Sequence, residues 1–330
     1  MLTITLALSG VVFWGFCDLL IAQFTRHVAT VTAIAVTTLV SFALALPLAL
    51  AVGGVPEGAA EWRAVGFAAA GGVFYLAAYG SLVAALSRGD LSVVAPLAAL
   101  DGAFGAILAI ALGDPVNAIT AVGLTLAAGG GALAAAQPRR APEAAVAPIP
   151  GGAPAFAVAS EASTLGATSG LPALDPAGDP RVSPACAGPP ERRRLVAGAG
   201  YALLSGLSIA VALQFFGHTD EVSATTTVAV ARAVSLAMIV PVALATTGLV
   251  IARRLWPAAL LIGVTDVVGF VFVAAATARG PVSVVAVLVA QLALMGLVLG
   301  LVVLHERPAP RQLAGAALAI AGVTVLAVAT

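Results

Sequence analysis

Four ionisable side chains lie inside long apolar runs of this 330-residue sequence: Asp18, Asp101, Arg232 and Asp266. Ionisable groups inside a membrane are costly, and by default they mark substrate or ion pathways. Asp101 and Asp266 are central in their runs, too deep for a short carboxylate to reach water, whereas Asp18 is shallower. We interpret these four residues as candidate substrate-binding or proton-binding groups. The alternative for Asp101 and Asp266 is a structural hydrogen bond between helices.

Arg232 has two interpretations. It is either a fixed counter-ion for Asp266 or Asp18, or a clamp on an anionic substrate group, because a guanidinium binds a carboxylate through two parallel hydrogen bonds. The sequence leaves both open.

Three further side chains complete the predicted site. Gln291 lies in an apolar run beside the position that matches Asp101 in the second half of the chain. An amide at such depth either lines a cavity or joins helices. Trp14 and Tyr79 are aromatic residues that either face a cavity or pack between helices.

The composition indicates a membrane protein, with 61% hydrophobic residues, 9% charged residues and a mean hydropathy of +1.09. Soluble domains have about 25% charged residues, so a soluble enzyme or nucleic-acid binder is excluded. The chain has no lysine, which excludes a Walker-A nucleotide site. Cys17 and Cys186 form no metal-ligand or disulfide pattern. We expect no cofactor and no metal.

Ten apolar runs are long enough to span a bilayer as helices of about 20 residues. They are continuously apolar rather than alternating, which argues against a β-barrel. The predicted fold class is therefore an all-α membrane protein with ten transmembrane helices, at about 3–24, 30–53, 63–86, 91–112, 117–136, 195–216, 222–248, 257–277, 281–304 and 310–329.

A segment of different composition separates the two sets of five runs. Residues 137–194 hold 11 of the 20 prolines and almost no aromatic residue. Such a segment cannot bury enough apolar surface to offset its conformational entropy. We expect a disordered linker at 137–194 between a first five-helix unit, 1–136, and a second, 195–330.

The two units are copies of one another. Residues 88–95 read RGDLSVVA and residues 279–286 read RGPVSVVA, 191 positions later. Further residues match at nearly the same offset: Gly15 with Gly206, Gln23 with Gln214, His27 with His218, Gly105 with Gly296, Gly123 with Gly315 and Gly130 with Gly322. Because five is odd, the second copy enters the membrane from the opposite side. The pattern predicts two inverted repeats, with a substrate site at their interface.

Arginines in the predicted loops indicate the orientation. Twelve lie on the side of the linker and two, Arg63 and Arg279, on the other side. Because positive loops stay in the cytoplasm, we expect a cytoplasmic linker, both termini outside, and residence in the plasma (inner) membrane.

Short motifs resemble those of the EamA-like family of the drug/metabolite transporter superfamily. His305-Glu306-Arg307-Pro308, followed by Gln312 and Gly315, resembles the Gly-Glu-Arg signature that ends each half of that family. The stretch 88–97 is similar to the start of its fourth helix, and Trp14-Gly15-Phe16, ahead of Asp18 and Arg26, resembles the start of its first helix. The first half departs from the signature, with Gly113-Asp114-Pro115 in its place. The arginine count also differs from the cytoplasmic termini expected for many members.

The resemblance implies a ten-helix carrier of small metabolites. We expect alternating-access transport of an amino-acid-like, cationic or zwitterionic compound, by proton-coupled efflux. A carboxylate at midplane is disfavoured when charged, and an opposite charge nearby favours it again. Asp101, held between these influences, would release its proton on one side of the membrane and regain it on the other. The expected partners are therefore a small-molecule substrate, protons and the lipid bilayer.

Three alternatives remain open. The first is an importer or exchanger of a carboxylated or phosphorylated metabolite that binds to Arg232. The second is a structural membrane subunit, which would not need charges at midplane. The third, a membrane-embedded enzyme, would need a catalytic constellation that the helices do not offer.

Overall fold

The structure, a computed structural model, describes residues 1–25, 27–88, 97, 100–135, 191–292, 294–295, 298 and 309–329. These residues contain ten α-helices and no β-strand. In chain order the helices are α1 (Leu2–Phe24), α2 (Thr30–Val52), α3 (Ala59–Arg88), α4 (Asp101–Ala111), α5 (Ala118–Ala135), α6 (Glu191–Phe216), α7 (Ala224–Thr246), α8 (Trp256–Thr277), α9 (Val282–Val289) and α10 (Pro310–Ala329).

Most helix bounds lie within a few residues of the predicted spans; in the fourth and ninth runs, most of 91–99 and all of 299–304 lie outside the described residues. Helix α4 begins only at Asp101, and α9 ends at Val289. Helix α6 begins at Glu191, so its first turn includes residues assigned to the linker by composition. The rest of the linker, with Cys186, lies outside the described residues, as does Glu306. Helices α1, α2, α3, α6, α7 and α8 are long and apolar enough to cross a bilayer.

Local signals set the ends of α7. Ser223 caps the first turn, because its Oγ accepts a hydrogen bond from the amide of Thr226 at 3.1 Å. At the other end Gly248 adopts a positive φ of 76°, which lets the chain turn away from the helix.

Helices of the first half pack antiparallel to helices of the second half. Early in α5, Gly123 faces Gly322 and Leu326, late in α10. Late in α5, Gly130 faces Ala319 and Gly315, which come earlier in α10. A Cβ at Gly130 would collide with the backbone of Ala319, so only glycine permits this close approach.

The same antiparallel arrangement recurs between α2 and α7. Thr32, early in α2, donates a hydrogen bond from its hydroxyl to the carbonyl of Gly248 beyond the end of α7, at 2.8 Å. Gly53, at the end of α2, contacts Ser223 and Thr226 at the start of α7.

Helices α4 and α9 are also antiparallel, with Gly102 against Ala290 and Gly105 against Ala286. Two reciprocal pairs complete the bundle: α1 packs on α8, and α3 packs on α6. The first helix of each half therefore contacts the third helix of the other half.

The bundle has two ends. The end that holds Phe24, Thr30, Thr246 and Trp256 is here called the arginine-rich side, because Arg253 and Arg254 lie there. The other end, here called the opposite side, holds Thr3, Gly53, Phe216 and Thr277.

Candidate functional site

A cavity of about 200 Å³ lies between the two halves. Six of the seven residues predicted for the site line it: Trp14, Asp18, Tyr79, Asp101, Arg232 and Asp266. They come from α1, α3, α4, α7 and α8, so both halves supply charged groups.

The centre of the site is an ion pair between Arg232 and Asp266. A terminal nitrogen of Arg232 donates to Asp266 Oδ1 at 2.6 Å, and the hydroxyl of Ser41 donates to Asp266 Oδ2 at 2.7 Å. The side chains of Arg232 and Asp266 are only 5% and 14% exposed. The guanidinium also lies over the rings of Tyr75 and Phe270, at 4.8 and 4.9 Å from their centroids. This geometry favours the counter-ion interpretation of Arg232, with Asp266 rather than Asp18 as its partner.

The residues around this ion pair are related by the repeat. Ser41 and Arg232 are 191 positions apart, and so are Tyr75 and Asp266. The contact of Ser41 with Asp266 is therefore the counterpart of the contact of Arg232 with Tyr75.

The backbone contacts nearby are also related by the offset of 191 residues. Gly72 approaches the backbone of Ala231, and its counterpart Gly263 approaches Val40, the counterpart of Ala231. These glycines let α3 approach α7, and α8 approach α2, closely enough for the four polar side chains to meet.

Asp18 and Asp101 make no ion pair with any described residue. Asp18 is exposed at the cavity surface. Asp101 is half-buried, and its Oδ1 accepts a hydrogen bond from the amide of Gly102 at 2.6 Å. With Asp266 paired to Arg232, the two free carboxylates leave an excess of two negative charges when both are ionised.

The structure corrects the expected setting of Asp101. The apolar run predicts a residue in the middle of a continuous helix, but Asp101 is the first residue of α4, with Leu100 as its N-cap. A carboxylate in the first turn of a helix interacts favourably with the positive end of the helix dipole. The local backbone therefore makes the ionised form of Asp101 less costly than a mid-helix position would.

Trp14 and Tyr79 occupy different settings in the cavity wall. Trp14 is only 7% exposed and packs against Tyr75 and Phe270, with ring centroids at 6.2 and 5.9 Å. Tyr79 is half-buried on α3, one turn beyond Tyr75. Trp14 therefore supports the residues that hold Arg232, whereas Tyr79 presents more surface to the cavity.

Gln291 is not among the described residues that line the cavity. Its side-chain nitrogen donates to the carbonyls of Ala127 and Val287, at 3.2 and 2.9 Å, so it joins α9 to α5. Gln214 has a similar role, because it donates to the carbonyl of Gly105 on α4 at 3.1 Å. Of the two interpretations for Gln291, the structure supports the interhelical one.

Asp114 binds the other half of the protein. Its Oδ2 accepts a hydrogen bond from the amide of Ser283, in the first turn of α9, at 2.9 Å. The carboxylate thus satisfies a free amide at the start of α9.

Ser41 is the contact residue that sequence reasoning missed. Serine is common in apolar helices and carries no signal by itself, but the 191-residue offset already aligns Ser41 with Arg232. Tyr75 aligns with Asp266 in the same way. Projecting each charged residue onto the other half would have found both partners.

The cavity extends from the middle of the bundle toward the arginine-rich side. Its lining residues on α1 run from Trp14 to Ile21, and those on α2 from Ile34 to Thr38. On the opposite side the helices contact one another directly, for example where Thr3 donates to the carbonyl of Arg279 at 3.4 Å. The site is therefore closer to water at the arginine-rich side.

Within the described residues, no group of three or more His, Cys, Asp or Glu side chains is placed to hold a metal ion. The three cavity aspartates are thus spread over the wall rather than gathered at one point.

Comparison with known proteins identifies the family. A sequence model of the EamA-like transporter family matches residues 1–136 and 196–328, which is most of the chain. A solved structure entitled "Crystal structure of protein" is similar in fold, with a TM-score of 0.68 and 15% identity over 99% of this chain and 96% of that one. No curated protein matches the sequence. The family match confirms the resemblance seen in the motifs, and it carries the assignment: this chain belongs to the EamA-like transporter family.

Proposed function

We propose that this protein moves a small cationic or zwitterionic metabolite across the membrane by alternating access. The observation that carries the proposal is the charge balance of the cavity between the halves. Three carboxylates face one guanidinium, which is already paired with Asp266. A ligand that brings positive charge would restore neutrality in this poorly solvated space.

The antiparallel pairing supports two inverted five-helix repeats as the moving parts. Corresponding helices, such as α5 and α10, run in opposite directions along their contact. Two copies inserted in opposite orientations would have this relation, with the substrate site at their interface. Ten membrane crossings follow if the fourth and ninth apolar runs each cross once.

Proton-coupled efflux is the direction we favour. The cavity extends toward the arginine-rich side, which the distribution of basic loops assigns to the cytoplasm. A cytoplasmic substrate would then enter a site where Asp18 and Asp101 have no charged partner among the described residues. Protons arriving from the outside would displace the substrate from these carboxylates.

The test is transport by the purified protein in liposomes. A mixture of amino acids, organic cations and organic acids is placed inside, a pH gradient is imposed, and mass spectrometry identifies what leaves. We expect cations or zwitterions to cross, Asp18→Asn to slow them, and Asp101→Asn to abolish their pH-driven exit. Asp220→Asn, an exposed aspartate far from the cavity, is the matched control. Equal flux in all three variants would contradict the charge argument.

One observation favours an anionic substrate instead. The Nε of Arg232 is buried and has no hydrogen-bond partner among the described residues. An anion that accepted this hydrogen bond would make Arg232 a substrate ligand while Asp266 holds its other end. Exit of organic acids alone in the liposome experiment would support this second function.

A further inference from the structure

A second cavity, of about 270 Å³, lies at the arginine-rich side and is separate from the central site. Its wall is formed by the turn after α1, from His27 to Ala29, and by the connection between α7 and α8, from Val250 to Leu255. Thr32 and Thr247 line it as well. This cavity therefore faces the end of the bundle rather than the transport pathway.

The charged groups on the wall are all basic. Arg254 and His27 both line the cavity and both are exposed, and none of its lining residues is acidic. No described residue forms an ion pair with Arg254. The combination favours an anionic ligand.

The backbone at the cavity also favours an acceptor. Helix α2 begins there at Thr30, and its N-cap, Ala29, has no side chain that can bind the free amides. The carbonyl of Gly248, beside Thr247, already accepts a hydrogen bond from the hydroxyl of Thr32 at 2.8 Å. The first amides of α2 therefore have no side-chain cap at this cavity, whereas this acceptor is occupied.

Apolar residues lie directly beside these donors. Val250 lines the cavity and is 94% exposed, and Ile251 and Leu255 line it as well. Trp256, the first residue of α8, is 40% exposed next to them. Tryptophan marks the level of the lipid headgroups at the ends of membrane helices. An anion with hydrocarbon attached fits such a wall better than a free ion does.

The geometry points to a binding site for the phosphodiester headgroup of an anionic phospholipid, with Arg254 and His27 as its ligands. Basic pockets between helix ends on the cytoplasmic side bind such headgroups. The lipid would hold the α1–α2 turn against the α7–α8 connection, and so link the first half of the protein to the second.

Both proposed ligands have counterparts on the opposite side, because Arg63 lies 191 positions before Arg254 and His218 lies 191 positions after His27. The counterpart of His27 is His218, whose Nδ1 lies 2.8 Å from the carbonyl of Gln214 and whose ring lies 5.2 Å from that of Phe67. Asp220 and Glu221 follow it in the chain. The equivalent place on the opposite side therefore differs in having acidic residues beside its arginine, and its histidine is already engaged.

Neighbouring residues provide matched variants for the test. Arg253 and Arg254 are adjacent and both exposed, but only Arg254 lines the cavity. The experiment is native mass spectrometry of the full-length protein, titrated with phosphatidylglycerol or with phosphatidylcholine. We expect the wild type to prefer phosphatidylglycerol, and R254Q to bind it about five-fold more weakly, as expected for one basic residue near an anionic lipid. R253Q and H218Q should bind as the wild type does, and H27Q more weakly.

Three results would overturn the proposal. One is equal binding of the two lipids by the wild type. Another is equal weakening by R253Q and R254Q, which would indicate diffuse attraction to the arginine-rich side. The third is displacement of phosphatidylglycerol by millimolar inorganic phosphate, which would make this a site for soluble phosphates. All four variants change exposed side chains, and size-exclusion profiles check that they fold.

Discussion

Breaking the ion pair between Arg232 and Asp266 gives the most direct test of how this fold is stabilised. Asp266→Asn removes the negative charge and keeps the shape, whereas Arg232→Met removes the positive charge and keeps most of the apolar stem. The double variant removes both charges at once. Because the two groups are 2.6 Å apart and nearly buried, the three variants form a cycle that isolates their interaction.

The contacts that each residue keeps when its partner is removed determine the expected loss in the free energy of unfolding. Removing one partner of a buried pair costs about 3–5 kcal/mol, because the other charge remains buried. Asp266→Asn should fall near 3 kcal/mol, since Arg232 keeps its positions over Tyr75 and Phe270. Arg232→Met should cost about 4 kcal/mol, since Asp266 keeps only the hydrogen bond from Ser41. If the double variant also costs about 4 kcal/mol, the coupling is about 3 kcal/mol.

The assay is equilibrium unfolding in mixed micelles of increasing dodecyl sulfate content, followed by tryptophan fluorescence. Asp220→Asn changes an exposed charge and should stay within about 0.5 kcal/mol of the wild type. A double variant whose cost equals the sum of the two single costs would refute the reasoning, because the residues would then act independently.

Three further predictions concern other contacts. Gly130→Ala should cost about 1–3 kcal/mol in the same assay because its Cβ meets the α10 backbone, while Gly129→Ala, which has open space around it, should cost almost nothing. Asp114→Ala should cost about 1.5–3 kcal/mol by freeing the amide of Ser283, and Asp114→Asn, which keeps an acceptor, should recover most of it. Asp101→Asn should abolish pH-driven flux in liposomes and leave the unfolding curve unchanged; retained pH-driven flux would exclude Asp101 as the coupling group.

The positions of most helices were predictable, because an apolar run of about 20 residues has few alternatives to forming a membrane-spanning helix. The end of α9 was not predictable, since no proline stands near it and apolar residues continue beyond it, and Pro96 in the fourth run does not by itself place the start of α4 at Asp101. Where such a helix begins or ends also depends on its neighbours: Gly102 and Gly105 pack against Ala290 and Ala286.

The charged part of the site was predictable for a similar reason. An ionised side chain is so costly in an apolar helix that its presence alone indicates a cavity or a partner, and Asp18, Asp101, Arg232 and Asp266 all reach the same cavity. The role of Gln291 was harder to predict, because a side-chain amide can donate its hydrogen bonds to nearby backbone carbonyls instead of facing a cavity. Sequence alone does not tell which carbonyls come within reach.

The repeat carries one consequence for mechanism. If the halves had remained identical, the centre would hold either two arginines and two aspartates or none. Instead both members of the ion pair, Arg232 and Asp266, come from the second half, while their counterparts, Ser41 and Tyr75, come from the first. The first-half residues still contact the pair, by a hydrogen bond and by a ring face. If one half moves against the other during transport, as we propose, the charges stay together, and only the weaker contacts across the interface need to break.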